Sequence, residues 1–141
     1  MAILHTQIEE YVGRKIDFSQ EVIIQLNDKD EHYIAGWNIE DKKQPTDAQL
    51  KEVESKAKTT DATNKLNYLR TVRNMKLTET DWVVIKEREE GGSVSNFADW
   101  KKYRQKLRDI TSGLDTVAKV EEKLKQDKDG KLINFPTAPS E

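Results

Sequence analysis

The sequence predicts an α+β protein, with an N-terminal β-hairpin packed with three to four helices and followed by an extended C-terminal tail. Three observations carry this expectation. Two short runs rich in β-branched and aromatic residues, Glu21–Leu26 and Tyr33–Ile39, flank the turn-forming cluster Asn27-Asp28-Lys29-Asp30. From Pro45 onward the apolar residues recur at spacings of three and four, the period of a helix. The closing Leu132-Ile-Asn-Phe-Pro-Thr-Ala-Pro139 carries two prolines, which suit an extended segment lying along a surface.

A length of 141 residues is about one domain's worth. The expectation is one structural domain with three regions: 1–44 as arm and hairpin, 45–112 as helical, and 113–141 as amphipathic helix and tail. The chain has 24 Lys+Arg against 26 Asp+Glu, and these charges interleave without a basic stripe, which argues against nucleic acid as a partner. There is no cysteine, and His5 and His32 are far apart in sequence, so neither a disulfide framework nor a zinc centre is expected. No window approaches the about 18 consecutive apolar residues of a membrane span, and Met1–Tyr11 does not read as a signal peptide. An intracellular, non-membrane protein is the expectation.

The first segment, 1–18, reads as a short helix or an arm, with Gly13 interrupting any helix capped by Thr6. The hairpin follows, and Gly36 inside its second run suggests a bulge. Thr46-Asp-Ala-Gln49 has the form of a capping box and starts a helix at Asp47 with a thin stripe of Leu50, Val53 and Ala57. A second helical pattern over 61–76 presents Leu66, Leu69, Val72 and Met75, so the two make one long or broken helix, with the weak point at Thr59-Thr60. Thr78–Asp81 is another cap-like cluster. It precedes Trp82-Val-Val-Ile85 and a charged run ending in Gly91-Gly92, read as a helical turn leading into a loop. Ser95 or Asn96 then caps a helix from Phe97 to about Thr111, stopped by Gly113. Leu114–Lys125 gives a last short amphipathic pattern, with Leu114, Val117, Val120 and Leu124 on a seam. Asp127–Gly130 is a turn, and it lacks the later glutamate that a calcium loop needs.

Within 97–111 the residues Phe97, Trp100, Tyr103, Leu107 and Ile110 share one helical arc, and Arg104 falls inside it. A guanidinium among apolar residues needs a partner, and Asp81 is the candidate for a bidentate pair. Trp82, Trp100, Tyr103 and Leu107 are then a core between two helices, clipped by Arg104. The competing reading makes part of this surface a docking face, since Trp, Tyr and Arg dominate binding hot spots. No Gly-rich phosphate loop, nucleophile–base arrangement or metal-ligand cluster is present in the sequence. No enzymatic activity and no cofactor are expected.

The ordered set Arg73-Asn74, Thr80-Asp81-Trp82 and Trp100-x-x-Tyr103-Arg104-Gln105-x-Leu107-Arg108-Asp109-Ile110 resembles the signature of the phage tail assembly chaperone family. Upstream, Tyr33–Trp37 followed by Pro45-Thr46 is similar to tail-fibre accessory proteins, and Asn134-Phe-Pro136 resembles the family's proline-containing end. The stretch 114–130 reads as an insertion relative to that pattern. The resemblance implies a non-enzymatic protein that docks on a viral tail, baseplate or tail-fibre protein in the host cytoplasm during assembly. It leaves open a structural adaptor retained in the virion tail, self-association into a homo-oligomer, and an interaction module directed at a host protein. The residues proposed for partner contact are Ile24, Tyr33 and Trp37 on the hairpin, with Phe135, Pro136 and Pro139 on the tail.

Overall fold

The computed structural model describes residues 2–140. Its elements run α1 (Leu4–Val12), β1 (Val22–Leu26), β2 (His32–Trp37), α2 (Asp47–Glu52), α3 (Glu54–Glu79), α4 (Asp81–Glu90), α5 (Phe97–Asp109) and α6 (Val117–Lys123). The α+β class is as expected. There are more helices than expected because the first segment is helical, the long helix is split, and the Trp82 stretch forms a full helix. The chain divides into two compact units, 1–61 and 62–141, with the division falling inside α3.

In the first unit, β1 and β2 pair antiparallel, with Val22 opposite Trp37 and Leu26 opposite His32. The register slips between Ile23 and Ile24, leaving Ala35 as the extra residue of a bulge beside Gly36. A Cβ on Gly36 would come within 3.3 Å of the Ile23 side chain, so the glycine lets that cross-strand neighbour sit close. The turn is closed by Asn27, whose Oδ1 accepts the Lys29 and Glu31 N–H groups at 2.8 and 3.0 Å. Ile8, Ile16, Val22 and Ile39 form the core, with Leu4, Val12, Ile24, Ile34, Trp37 and Leu50 packed around it. A two-stranded hairpin is marginal alone, and this helix-covered face supplies what it lacks.

Thr6 does not cap α1. The helix starts after Ile3, with no capping side chain of its own, and ends at Gly13 in the left-handed conformation. Its N-terminal donors are met instead from α3. The Asp61 carboxylate accepts from the Ile3 N–H at 2.9 Å and from the buried Thr6 hydroxyl, and Glu54 accepts from the Ala2 N–H. Orphan helix donors need some acceptor, and a carboxylate there also favours the positive end of the helix dipole.

The capping box at Thr46 forms as expected, with Gln49 N–H to Thr46 Oγ1 at 3.2 Å and Thr46 N–H to Gln49 Oε1 at 2.9 Å. The helix breaks at Val53, however, and runs unbroken through Thr59 and Thr60. The Thr59 hydroxyl donates back to the Ser55 carbonyl and the Thr60 hydroxyl to Glu10, so both polar groups are satisfied without opening the helix.

In the second unit, Val83, Trp100, Tyr103 and Leu107 form a core, with Leu77, Val94, Phe97 and Phe135 against it. Leu69, Ile110 and Val120 are also buried. Met75, expected on the buried face of the long helix, is 60% exposed. The charged run 86–90 is helix α4 to its end, where Gly91 takes a left-handed conformation (φ 60°) and stops it. Helix α6 is shorter than expected and is capped by the Thr116 hydroxyl.

Candidate functional site

The candidate site is built on α4, α5 and the closing tail. Trp100, Tyr103 and Leu107 lie on one face of α5 at spacings of three and four, and all three are buried. Trp100 stands edge-on to Tyr103, with ring centroids 6.1 Å apart. Its indole N–H donates to Asn96 Oδ1 at 3.2 Å, so the buried polar edge of the ring is satisfied by the residue just before the helix.

Trp82 is not part of this core. It touches Trp100 edge-on at 5.9 Å, yet it remains 41% exposed. The residue that fills the core from α4 is Val83, which is fully buried. Trp82, Val84 and Ile85 therefore leave apolar surface on α4, with exposures of 41, 38 and 55%. The sequence reading puts Trp82 in the core with Trp100, Tyr103 and Leu107, but helical phase decides which of two adjacent residues points inward.

Arg104 reaches the junction of α3 and α4. One terminal nitrogen donates to the Leu77 carbonyl at 2.8 Å and the Thr80 hydroxyl at 2.7 Å, and the other donates to Asp81 Oδ1 at 2.8 Å. The contact with Asp81 is thus one oxygen of a half-exposed carboxylate and not a bidentate pair. The guanidinium, only 15% exposed, serves mainly as a C-terminal cap for α3, since Leu77 belongs to that helix's last turn. Arg73 on α3 makes the reciprocal bond and donates to the Arg108 carbonyl in the last turn of α5 at 3.2 Å. Each of these two helices is capped by an arginine from the other. Sequence spacing offered no sign of the Arg73 role, because its partner is a main-chain oxygen.

Arg108 and Asp109 lie on the surface in a chain of bonds through Gln105, which accepts from Arg108 at 2.8 Å and donates to Asp109 at 2.9 Å. Burial, and secondarily the charge of Glu79, push the Tyr103 phenol above its ordinary value.

The tail runs back along α5. Phe135 packs on the core cluster, Asn134 donates to the Glu122 carbonyl at 2.6 Å, and Asn96 donates to the Ser140 carbonyl at 2.6 Å. Pro136 and Pro139 are half-buried. On the hairpin, Tyr33 is exposed and its hydroxyl donates to Gln25 at 3.1 Å. Ile24 and Trp37 are half-buried against their own unit's core, and the Trp37 indole N–H donates to the Lys42 carbonyl at 2.7 Å.

His5 and His32 are neighbours in space, with ring centroids 6.3 Å apart, because α1 packs beside the hairpin. Among the described residues no group of three or more His, Cys, Asp or Glu is arranged to hold a metal ion. At Asp127–Gly130 the Asp127 carboxylate is taken up by the Asp129 and Lys131 N–H groups at 2.9 and 3.0 Å. No helix among the described residues is long and apolar enough to cross a membrane.

These elements leave aromatic and aliphatic side chains exposed on α4, while the tail lies along α5. Comparison with known proteins finds two partial matches. Residues 66–121 match the model of a family described as phage tail assembly chaperone protein, and residues 15–62 match that of a family described as XkdW protein. Both families are phage tail-related, and neither is a family of enzymes. The first match falls inside the second unit, and the second falls almost wholly inside the first. The chaperone match continues to Glu121, well into the stretch that reads as an insertion from sequence. The upstream segments Tyr33–Trp37 and Pro45-Thr46 lie within the XkdW match. No curated protein and no solved structure matches the chain.

Proposed function

We propose that this protein acts in phage tail assembly, docking on a tail, baseplate or tail-fibre protein while that partner is being assembled. The family matches to residues 15–62 and 66–121 support the assembly role. The observation that carries the docking mechanism is the exposed apolar set on α4, Trp82, Val84 and Ile85, next to the signature helix α5. Exposed aromatic and aliphatic residues grouped on one helix are typical of protein contact surfaces, and tryptophan is enriched among residues that dominate binding energy. Tyr33 and the open edges of the two-stranded sheet offer a second contact, by strand addition. The work is done by covering surface, without a catalytic step or cofactor, in the host cytoplasm.

The test is a pull-down of the tagged chain from infected cells, alongside mass spectrometry of purified particles. A tail protein captured from cells, with this chain missing from particles, is the result expected of a transient chaperone. Presence in particles would make it a retained adaptor. Capture of a host protein and no tail protein would overturn both.

A further inference from the structure

An open groove of about 470 Å³ runs between α5 and the tail, lined by Asn96, Asp99, Lys102, Tyr103 and Lys106 on one side and by Thr137, Pro139 and Ser140 on the other. We infer that this groove is a binding site for an extended acidic segment of a partner protein, with the tail serving as its outer wall. The inference deepens the docking reading above and rests on it.

Three features of the groove specify the occupant. The first is charge. Lys102 and Lys106 stand one helical turn apart on the same face of α5, and among the described residues neither side chain makes a salt bridge or hydrogen bond and Asp99 is the single carboxylate lining the groove. Two unpaired ammonium groups against one carboxylate favour acidic side chains at matching intervals. The second is the unused polar capacity of the walls. The hydroxyl of Tyr103, a lining residue, has no hydrogen-bond partner among the described residues. An occupant in extended conformation offers carbonyls and carboxylates for such donors. The third is the fixing of the outer wall. The tail is held at one end by Phe135 in the core cluster and at the other by the bond from Asn96 to the Ser140 carbonyl, and its two prolines keep the span between them stiff. A wall pinned at both ends is formed before the occupant arrives, which reduces the ordering cost of binding. The groove's volume lies within the range of about 300–1,000 Å³ usual for binding clefts.

The experiment is isothermal titration of the full chain with two synthetic octapeptides, one alternating Glu and Val and the other alternating Lys and Val. Saturable one-to-one binding of the Glu/Val peptide, weakened by added salt, with none of the Lys/Val peptide, is expected. The double change Lys102→Glu, Lys106→Glu is expected to weaken the Glu/Val peptide by about tenfold or more. Asn96→Ala, which releases the end of the tail, is expected to weaken it by about threefold to tenfold. If Asn96→Ala does not fold, Pro139→Gly softens the same wall without touching either anchor. No binding of the Glu/Val peptide, or indifference to the lysine reversals, would overturn the inference. Tighter binding on loosening the tail would also overturn it, because the tail would then be a competitor and not a wall. A negative result in this assay leaves tail-protein capture in the pull-down unaffected, so the two readings fail separately.

Discussion

Arg104 offers the sharpest energetic test, because geometry separates its three bonds into two kinds. The bonds to the Leu77 carbonyl and the Thr80 hydroxyl, at 2.8 and 2.7 Å, are partly buried, and Thr80 is only 6% exposed. The bond to Asp81 reaches a carboxylate that is 54% exposed. Hydrogen bonds from a charged donor contribute about 1.5–3 kcal/mol each when shielded, whereas an exposed ion pair contributes about 0.2–1 kcal/mol. The Leu77 carbonyl keeps its bond from the Thr80 N–H after Arg104 is removed, which moderates the loss. Arg104→Met should therefore cost about 2–4 kcal/mol, Arg104→Lys about 1–2 kcal/mol, and Asp81→Asn less than about 1 kcal/mol. Urea unfolding followed by tryptophan fluorescence measures all three, and the double variant closes the cycle with a coupling below about 1 kcal/mol. If Asp81→Asn destabilises as much as Arg104→Met, the salt bridge is the dominant bond and the capping account is wrong.

Other consequences are simpler to state. Trp100→Ala should cost about 3–5 kcal/mol in chemical denaturation, while Trp82→Ala, which removes an exposed ring, should cost less than about 1.5 kcal/mol and chiefly weaken partner capture; equal costs would contradict the assignment of core and surface. Asp61→Ala should destabilise the first unit by about 1–3 kcal/mol and raise amide exchange at Ile3, because the Ile3 N–H and Thr6 hydroxyl lose their acceptor; unchanged exchange would remove Asp61 from the capping role. Hydrogen bonds from Arg14 and from the Asp17 N–H, together with the Arg14 charge, hold the Glu21 carboxyl at about 2 against an ordinary 4.5. Since the folded value lies below the unfolded one, this contribution to stability is complete above pH 4.5 and is lost as pH falls through about 2. Carboxyl chemical shifts followed by NMR should show a depressed midpoint for Glu21 that Arg14→Gln moves back upward, and a midpoint unaffected by that change would refute the pairing.

The parts of this structure legible in the sequence are those fixed by local rules. The hairpin turn at Asn27–Asp30, the capping box at Thr46, the stop at Gly13 and the Trp100–Tyr103–Leu107 face all depend on residues within a few positions of each other. Asp81 is identifiable as a partner of Arg104 because a charge within an apolar arc demands one. The long helix breaks at Val53 and not at the expected Thr59-Thr60, because hydroxyl bonding to Ser55 and Glu10 satisfies the threonines inside the helix. The inward turn of Val83 in place of Trp82 depends on the phase at which α4 meets α5, which composition does not encode. The residues proposed for partner contact divide likewise, with Tyr33 exposed but Ile24 and Trp37 partly used by their own core.

By itself, then, the sequence determined the α+β class, several element starts and stops, the buried face of α5, and the resemblance to phage tail assembly chaperones, all of which reside in short-range patterns. Tertiary structure alone decided that Arg73 and Arg104 cap each other's helices, that Asp61 and Glu54 supply the missing caps of α1, and that the tail returns along α5 to form a groove. The physical reason is common to these cases. Their acceptors are mostly main-chain oxygens, or their donors main-chain N–H groups, which every residue carries and which become distinctive only when folding leaves them without a local partner.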